Sequence, residues 1–164
     1  MQVITNNTPL RYLIFLEYDT IFPALFAHLV VPQAVVQELQ QPKTPPRVRT
    51  WMAAPPSWLE VRQPVSRPDA ALQRLGAGER DTLLLAQELQ ADLVLLDDRE
   101  AHAEAARRGV PTFGTLRLLE MAAQRHLLDL PTALTALAAT SFYVEESLVR
   151  DLLARDAARK RQGL

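Results

Sequence analysis

Short apolar runs alternate along the chain with longer segments whose apolar residues recur every three or four positions. Such runs predict strands, and such periodic segments predict helices. The clearest run is Leu93–Leu96, which lies between two helical patterns. An unbroken apolar run of this length is typical of a central strand in a parallel sheet, where both faces are buried. The alternation therefore predicts an α/β fold built on a parallel sheet.

The same patterns set approximate bounds. The predicted strands are 2–5, 29–31, 59–62, 93–96, 110–113 and an edge strand at 142–144. The predicted helices are 10–16, 19–26, 32–39, 48–53, 69–75, 79–90, 99–108, 114–125, 131–139 and 145–160. Thr8 is the expected N-cap of the first helix, with Pro9 at the first helical position. Gly76-Ala77-Gly78 is too short for a phosphate-binding loop and is expected to be a hinge between helices.

The domain organisation follows from length and proline content. A chain of 164 residues is one domain by length. Seven of the twelve prolines lie between residues 42 and 68, which predicts a surface connection rather than a second core. We expect one domain over residues 1–150, followed by the helix end and basic tail at 151–164.

Composition excludes several classes of site. The chain contains no cysteine, which excludes disulfides, zinc–thiolate sites and thiol nucleophiles. It shows no signal peptide and no apolar run long enough to span a bilayer, so we expect a cytoplasmic protein without membrane contact. The net charge of −1 indicates no nucleic-acid partner, but an acidic metal site would offset basic residues elsewhere.

Two adjacent carboxylates, Asp97 and Asp98, directly follow the central apolar run. Parallel α/β sheets bind ligands at the carboxyl ends of their strands, which is where this pair falls. One interpretation is structural, because an aspartate caps a helix and interacts with its positive end. A single cap residue suffices, however, and adjacent acids repel each other. The pair therefore favours a bound positive charge, although His102, one turn later, can also pair with Asp98.

Two glutamates lie near apolar helix faces. Glu79 shares a face with Leu83 and Ala86 in the first turn of its helix. Glu38 borders the apolar face that contains Val35. Each also has a structural interpretation, as a carboxylate at a helix N-terminus or as an ordinary boundary residue. Together with the aspartate pair they predict a convergent cluster, and clustered carboxylates without cysteine or paired histidine select Mg²⁺ or Mn²⁺.

The order of these features resembles the PIN-domain superfamily, and most closely its VapC-like branch of toxin-type ribonucleases. The resemblance rests on an ordered set of segments that covers nearly the whole chain apart from the proline-rich stretch and the last residues. These segments are VITNNTPLRYL, VVPQAVVQEL, GAGERDTLLLAQELQADLVLLDDREA, VPTFGTLRLLEMA and SFYVEESLVRDLL. Each is loose singly, but the ordered set is specific.

The resemblance implies a three-layer α/β/α sandwich with four to five parallel strands and an acidic pocket at the strand ends. It also implies Mg²⁺- or Mn²⁺-dependent cleavage of RNA. The metal positions carry over to Asn6, Glu38, Glu79, and Asp97 or Asp98. Asn6 stands where the superfamily usually has an aspartate, and its amide oxygen can coordinate a metal without contributing charge. Thr115 would hold a metal-bound water or a phosphate oxygen.

The leading hypothesis is thus an endoribonuclease of toxin–antitoxin type that hydrolyses RNA with a metal-activated water. Glu38, Glu79, Asp97 and Asp98 would be its catalytic residues. Arg11, Arg80 and Arg99 would hold the RNA backbone. The resemblance also implies a homodimer and a small antitoxin partner. The alternative is a PIN-like binding module without turnover that acts through dimerisation or an antitoxin. A phosphotransfer receiver domain is weaker, because no lysine lies on a late strand.

Overall fold

A computed structural model describes all residues 1–164. Its strands are β1 (Val3–Thr5), β2 (Leu29–Pro32), β3 (Leu59–Arg62), β4 (Leu93–Leu95) and β5 (Thr112–Phe113). All pairings are parallel, and the strand order is β3-β2-β1-β4-β5. The apolar runs thus form the parallel sheet that the sequence predicts.

Ten helices accompany the strands. They are α1 (Asn7–Phe15), α2 (Ile21–Phe26), α3 (Gln33–Leu39), α4 (Pro46–Ala53), α5 (Ala70–Gln73), α6 (Ala77–Glu88), α7 (Arg99–Arg107), α8 (Thr115–Gln124), α9 (Leu130–Ala138) and α10 (Glu146–Arg161). None of them is both long and apolar enough to cross a bilayer. Strands that alternate with helices in this way confirm the predicted PIN-like α/β/α sandwich.

The chain divides into two compact units, residues 1–115 and 116–164. The first unit contains the whole sheet. Every residue of β1, β2 and β4 is buried, as expected for parallel strands covered on both faces. Helix α6 contacts these three strands and buries Leu83, Leu84 and Leu85 in the same cluster as Ile4 and Val94. This packing fixes the start of α6 against the centre of the sheet.

The second unit is held together by ion pairs as well as by apolar contacts. Buried Glu120 accepts hydrogen bonds from the Nε of Arg155 at 2.7 Å and from Arg117 at 3.0 Å. Buried Asp156 pairs with Arg159 and Lys160, and Lys160 also lies 3.3 Å from Asp129. Much of the positive charge in this C-terminal segment is therefore neutralised within the unit.

Two local predictions were wrong. Residues 142–144 form no strand, because no other strand pairs with them, and Tyr143 is 85% exposed. Helix α1 begins at Asn7, so the residue at its N-cap position is Asn6 and not Thr8. Pro9 is compatible with this start, because the first N–H groups of a helix have no partner within the helix.

Gly109, which follows the C-cap residue Arg108 of α7, has a φ of +71°, a conformation that side chains disfavour. Nothing lies within 4 Å of a Cβ built there, so Gly109→Ala would strain only the backbone. We expect it to lower the free energy of unfolding by about 1 kcal/mol in urea denaturation. Gly163, with a φ of +74° next to the chain end, is the matched control and should tolerate alanine with little loss. Unchanged stability in Gly109→Ala would contradict the positive φ of Gly109.

Candidate functional site

The candidate site lies where two central strands end side by side. Strand β1 pairs with β4 in the register Thr5 to Leu95, and the Asn6 N–H donates to the Leu95 carbonyl at 2.8 Å. The chain leaves β1 for β2 on one side, whereas β4 leads to β5 on the other. This is a topological switch point, the place where open parallel sheets bind ligands. Asn6 and Asp97 leave the sheet here from neighbouring strands.

Asn6 carries an unsatisfied polar atom. The residue is only 2% exposed, and its side-chain Oδ1 has no hydrogen-bond partner. A buried acceptor without a partner costs about 1–3 kcal/mol, and an ordered water or a cation can offset that cost. An amide oxygen is also a ligand that Mg²⁺ accepts.

Glu38 connects three helices through its carboxylate. Its Oε2 accepts a hydrogen bond from the Nδ2 of Asn7 in α1 at 3.0 Å. Its Oε1 accepts one from the backbone N–H of Gly78 in α6, also at 3.0 Å. Because Asn7 follows Asn6 and Gly78 precedes Glu79, these bonds bring Glu38 into the neighbourhood of two other predicted ligands.

The glycines before and within α6 make room for carboxylates. A Cβ at Gly78 would lie 2.6 Å from the Oε1 of Glu38, and one at Gly76 would lie 2.6 Å from the Oε2 of Glu79. The expected hinge is therefore wrong, because Gly78 is a buried residue inside α6 and Gly76 is its N-cap. Glu79 itself is half-buried in the first turn of the helix, on the side that the sequence indicates.

Asp97 is held by one residue. The backbone N–H of Thr115 donates to its Oδ1 at 2.9 Å, and the Thr115 hydroxyl donates to its Oδ2 at 2.6 Å. Burial raises the pKa of the Asp97 carboxyl above its ordinary value, although the two bonds from Thr115 oppose the shift. Thr115 is fully buried, and in this structure it positions Asp97.

Asp98 has a different environment from Asp97. It is exposed, occupies the N-cap of α7, and its Oδ1 accepts from the N–H of Ala101 at 2.8 Å. It therefore matches the cap interpretation, whereas Asp97 does not. His102 does not pair with Asp98, because its Nδ1 is hydrogen-bonded to the hydroxyl of Thr112.

The three arginines expected near the site are placed differently. The Nε of Arg80 donates to Asp81 at 3.0 Å, so this guanidinium is already paired within the protein. Arg99 is exposed at the start of α7. Arg11 lines a polar cleft together with Glu38.

The candidate ligands at this site are all oxygen atoms, which is the ligand type that hard divalent cations prefer. The unpaired amide oxygen of Asn6 is the strongest indication of a bound cation. No group of three or more carboxylate or imidazole side chains converges closely enough to hold a metal ion. The physical reason is that carboxylates repel one another, and here several of them take hydrogen-bond donors of their own. Glu38 accepts hydrogen bonds from Asn7 and Gly78, and Asp97 accepts them from Thr115.

Sequence reasoning missed the residues that hold the acids in place. Asn7 precedes the first helix that the sequence predicts, so it was not considered, and the donor from Gly78 is a backbone group that no side-chain pattern reports. The available signal was the pair of glycines at the start of an otherwise well-formed helix. Glycine is unfavourable inside a helix, so its presence there indicates a close approach by another group.

Comparison with known proteins identifies the family. The family model described as "DUF3368: PIN domain" matches residues 2–157. The chain therefore belongs to the PIN-domain family, whose members are in general divalent-metal-dependent and have a nuclease fold. The resemblance of the sequence to the PIN-domain superfamily is confirmed.

The fold is also found in a solved structure. A PilT N-terminus domain protein, SSO1118, from the hyperthermophilic archaeon Sulfolobus solfataricus P2 matches with a TM-score of 0.51 and 14% identity. The match covers 89% of this chain and 99% of that one. At this identity the similarity concerns the fold alone. No match is found among curated proteins.

Replacing Thr115 by valine tests the environment of Asp97. The variant removes the hydroxyl donor to a half-buried carboxylate, so the free energy of unfolding should fall by about 1 kcal/mol at neutral pH. Because the folded pKa of Asp97 is raised, the native state binds this proton more tightly than the unfolded chain does. The loss of unfolding free energy in Thr115→Val should therefore become smaller as the pH falls through that raised pKa. Urea denaturation in EDTA over a series of pH values measures this change.

Thr132→Val is the matched control for this experiment. Thr132 donates its hydroxyl and its N–H to Asp129 in the same way, but Asp129 is exposed. The hydroxyl of Thr132, and then its N–H, hold the pKa of Asp129 below its ordinary value. The effect of Thr132→Val should therefore persist to lower pH than that of Thr115→Val. Equal pH dependence in the two variants would refute the raised pKa of Asp97.

Replacing Gly78 by alanine tests the placement of Glu38. The new Cβ would lie 2.6 Å from the Glu38 carboxylate and should displace it, while the higher helix propensity of alanine limits the cost to folding. We expect a folded protein with weaker Mn²⁺ binding in calorimetry. A double-mutant cycle with Glu38→Gln should show strong non-additivity, because both changes act on one carboxylate. Additive losses would mean that Gly78 acts through another group.

Proposed function

We propose that this chain is an endoribonuclease of toxin–antitoxin type that depends on Mg²⁺ or Mn²⁺. Membership of the PIN-domain family supports a nuclease, and the oxygen-only donor set supports a hard divalent cation. The observation that carries the proposal is the buried Oδ1 of Asn6, which has no partner at the switch point of the sheet. A polar atom left unpaired at the ligand-binding end of a sheet favours a bound ligand.

Each residue has a role in this proposal. Asn6, Glu38, Glu79 and Asp97 would hold the metal, and Asp98 caps α7 beside them. A bound divalent cation would supply a Lewis acid that activates water and stabilises charge on the phosphate. Asn7 and Gly78 orient Glu38, and Thr115 orients Asp97. Two arginines would bind the RNA backbone, namely the exposed Arg99 and the partly buried Arg11. Arg80 is already paired with Asp81.

The partners and the location of the protein belong to the same proposal. The resemblance to toxin-type PIN proteins supports a homodimer, a small antitoxin protein that binds it, and a cytoplasmic site of action.

A second candidate function is a PIN-like binding module without turnover. It is favoured by the neutral side chain at Asn6 and by the hydrogen bonds that already occupy Glu38 and Asp97. Such a module would act through dimerisation or through an antitoxin partner, and it would need no metal.

Mn²⁺ titration by calorimetry, followed by cleavage of single-stranded RNA, separates the two candidates. We expect the wild type to bind Mn²⁺, Asn6→Asp to bind it more tightly because it adds a charge, and Asp97→Asn to lose both binding and cleavage. Asp98→Asn is the matched control, because asparagine caps a helix as well as aspartate does, and it should retain both.

Full metal-dependent cleavage in Asp97→Asn, with Asp98→Asn also unimpaired, would refute the proposed site. No heat of binding in the wild type or in Asn6→Asp, together with no cleavage, would favour the binding module.

A further inference from the structure

A polar cleft of about 390 Å³ lies beside the candidate metal site. It is lined by Asn7, Arg11, Glu38, Gln41, Lys43 and Thr44. Glu38 belongs both to this lining and to the set of candidate ligands. A molecule bound in the cleft would therefore contact a carboxylate that is also a candidate metal ligand. The volume is in the lower range of small-ligand pockets, which suits one nucleotide rather than a duplex.

One wall of the cleft is a short, well-fixed turn after α3. The N–H of Thr44 donates to the carbonyl of Gln41 at 3.0 Å, which closes a turn over residues 41–44. Pro42 stands at the second position of this turn, where proline is favoured. Thr44 is buried, and its hydroxyl donates to the Glu38 carbonyl at 3.3 Å. The backbone of Lys43 is thereby held at the end of α3 rather than on a loose loop.

A second part of the lining comes from one face of α1. Asn7 and Arg11 are four residues apart, so they lie on the same side of the helix. The hydrogen bond from Asn7 to Glu38 shows that this side faces the cleft. The guanidinium of Arg11 lies 5.6 Å from the ring centroid of Tyr12, a cation–π contact that orients it.

The two cations of the cleft are not neutralised by ion pairs within the protein. Neither Arg11 nor Lys43 takes part in any of the ion pairs of the structure, whereas three basic residues of α10 do. With Glu38 they give the lining a net charge of +1, counted as two cations and one carboxylate. A guanidinium fork and an ammonium group that line the same polar cleft are suited to a phosphate group.

We infer that this cleft binds one phosphodiester of a single-stranded nucleic acid, the neighbour of the one that reacts, through Arg11 and Lys43. The inference rests on the proposed nuclease function and adds a subsite to it. Glu38 is common to the cleft and the metal site, so a strand whose reacting phosphate lies at the metal site places an adjacent nucleotide in the cleft. Lys43 thus becomes a binding residue that the sequence alone did not indicate.

The test is a direct binding measurement that does not depend on catalysis. A labelled single-stranded RNA oligonucleotide is titrated with the full chain in EDTA over a series of salt concentrations, and fluorescence anisotropy is recorded. Lys43→Ala and Arg11→Ala should each weaken binding by about fivefold at ~0.1 M salt and reduce the salt slope by about 0.7, the values for one lost phosphate contact. Arg11→Lys should recover part of the affinity, because it keeps the charge but not the fork.

Arg125→Ala is the matched control, because Arg125 is exposed and lies outside the cleft. It should leave both affinity and salt slope unchanged. The same oligonucleotide as DNA separates the two sources of phosphodiester. Equal losses on RNA and DNA would show recognition of the phosphate alone, and losses confined to RNA would show that the ribose hydroxyl is recognised as well.

Unchanged RNA affinity and salt slope in the double variant of Arg11 and Lys43 would overturn the inference, and so would a wild type that binds no RNA. If metal-dependent cleavage persists in that case, the proposed function stands without this subsite. RNA binding that depends on both cations, in a protein that cleaves no RNA with Mg²⁺ or Mn²⁺, would instead support the subsite and refute the nuclease.

Discussion

The parallel pairing of β1 with β4 joins two parts of the sheet whose connections run in opposite directions. Because chain connections leave this pair on both sides, no crossover helix covers the ends of the two strands at that point. The pairing places Asn6 and Asp97 at one edge of the sheet, and the packing of α6 on the same strands brings Gly78 and Glu79 to it. Glu38 then reaches Asn7 and Gly78 from α3.

The strands were the most predictable part of the structure. The apolar runs at 29–31 and 93–96 could be identified from their composition alone, because strands buried on both faces have no polar side to confuse the pattern. The segment 142–144 has similar residues but no partner strand, and pairing is a tertiary property that a local pattern does not contain.

The sequence allowed the acidic residues of the site to be predicted, but not the hydrogen-bond donors that hold them in place. A carboxylate on an apolar helix face, such as Glu79, is visible from periodicity alone. The donors to Glu38 come from α1 and α6, which lie far from it in sequence, and one of them is a backbone N–H. The cleft beside it was missed because residues 42–68 were interpreted as a mere surface connection, whereas the turn at 41–44 is closed by hydrogen bonds and anchored to α3.

The carboxylate of Glu38 is a candidate metal ligand, and through its two hydrogen bonds it also links α1 to α6. A cation that drew this side chain away from Asn7 and Gly78 would loosen the link between α1 and α6, whereas one that coordinated it in place would tighten that link. Ion occupancy and the local opening of these two helices are therefore thermodynamically linked. Amide hydrogen exchange at Gly78 would report the ion through a residue that never touches it.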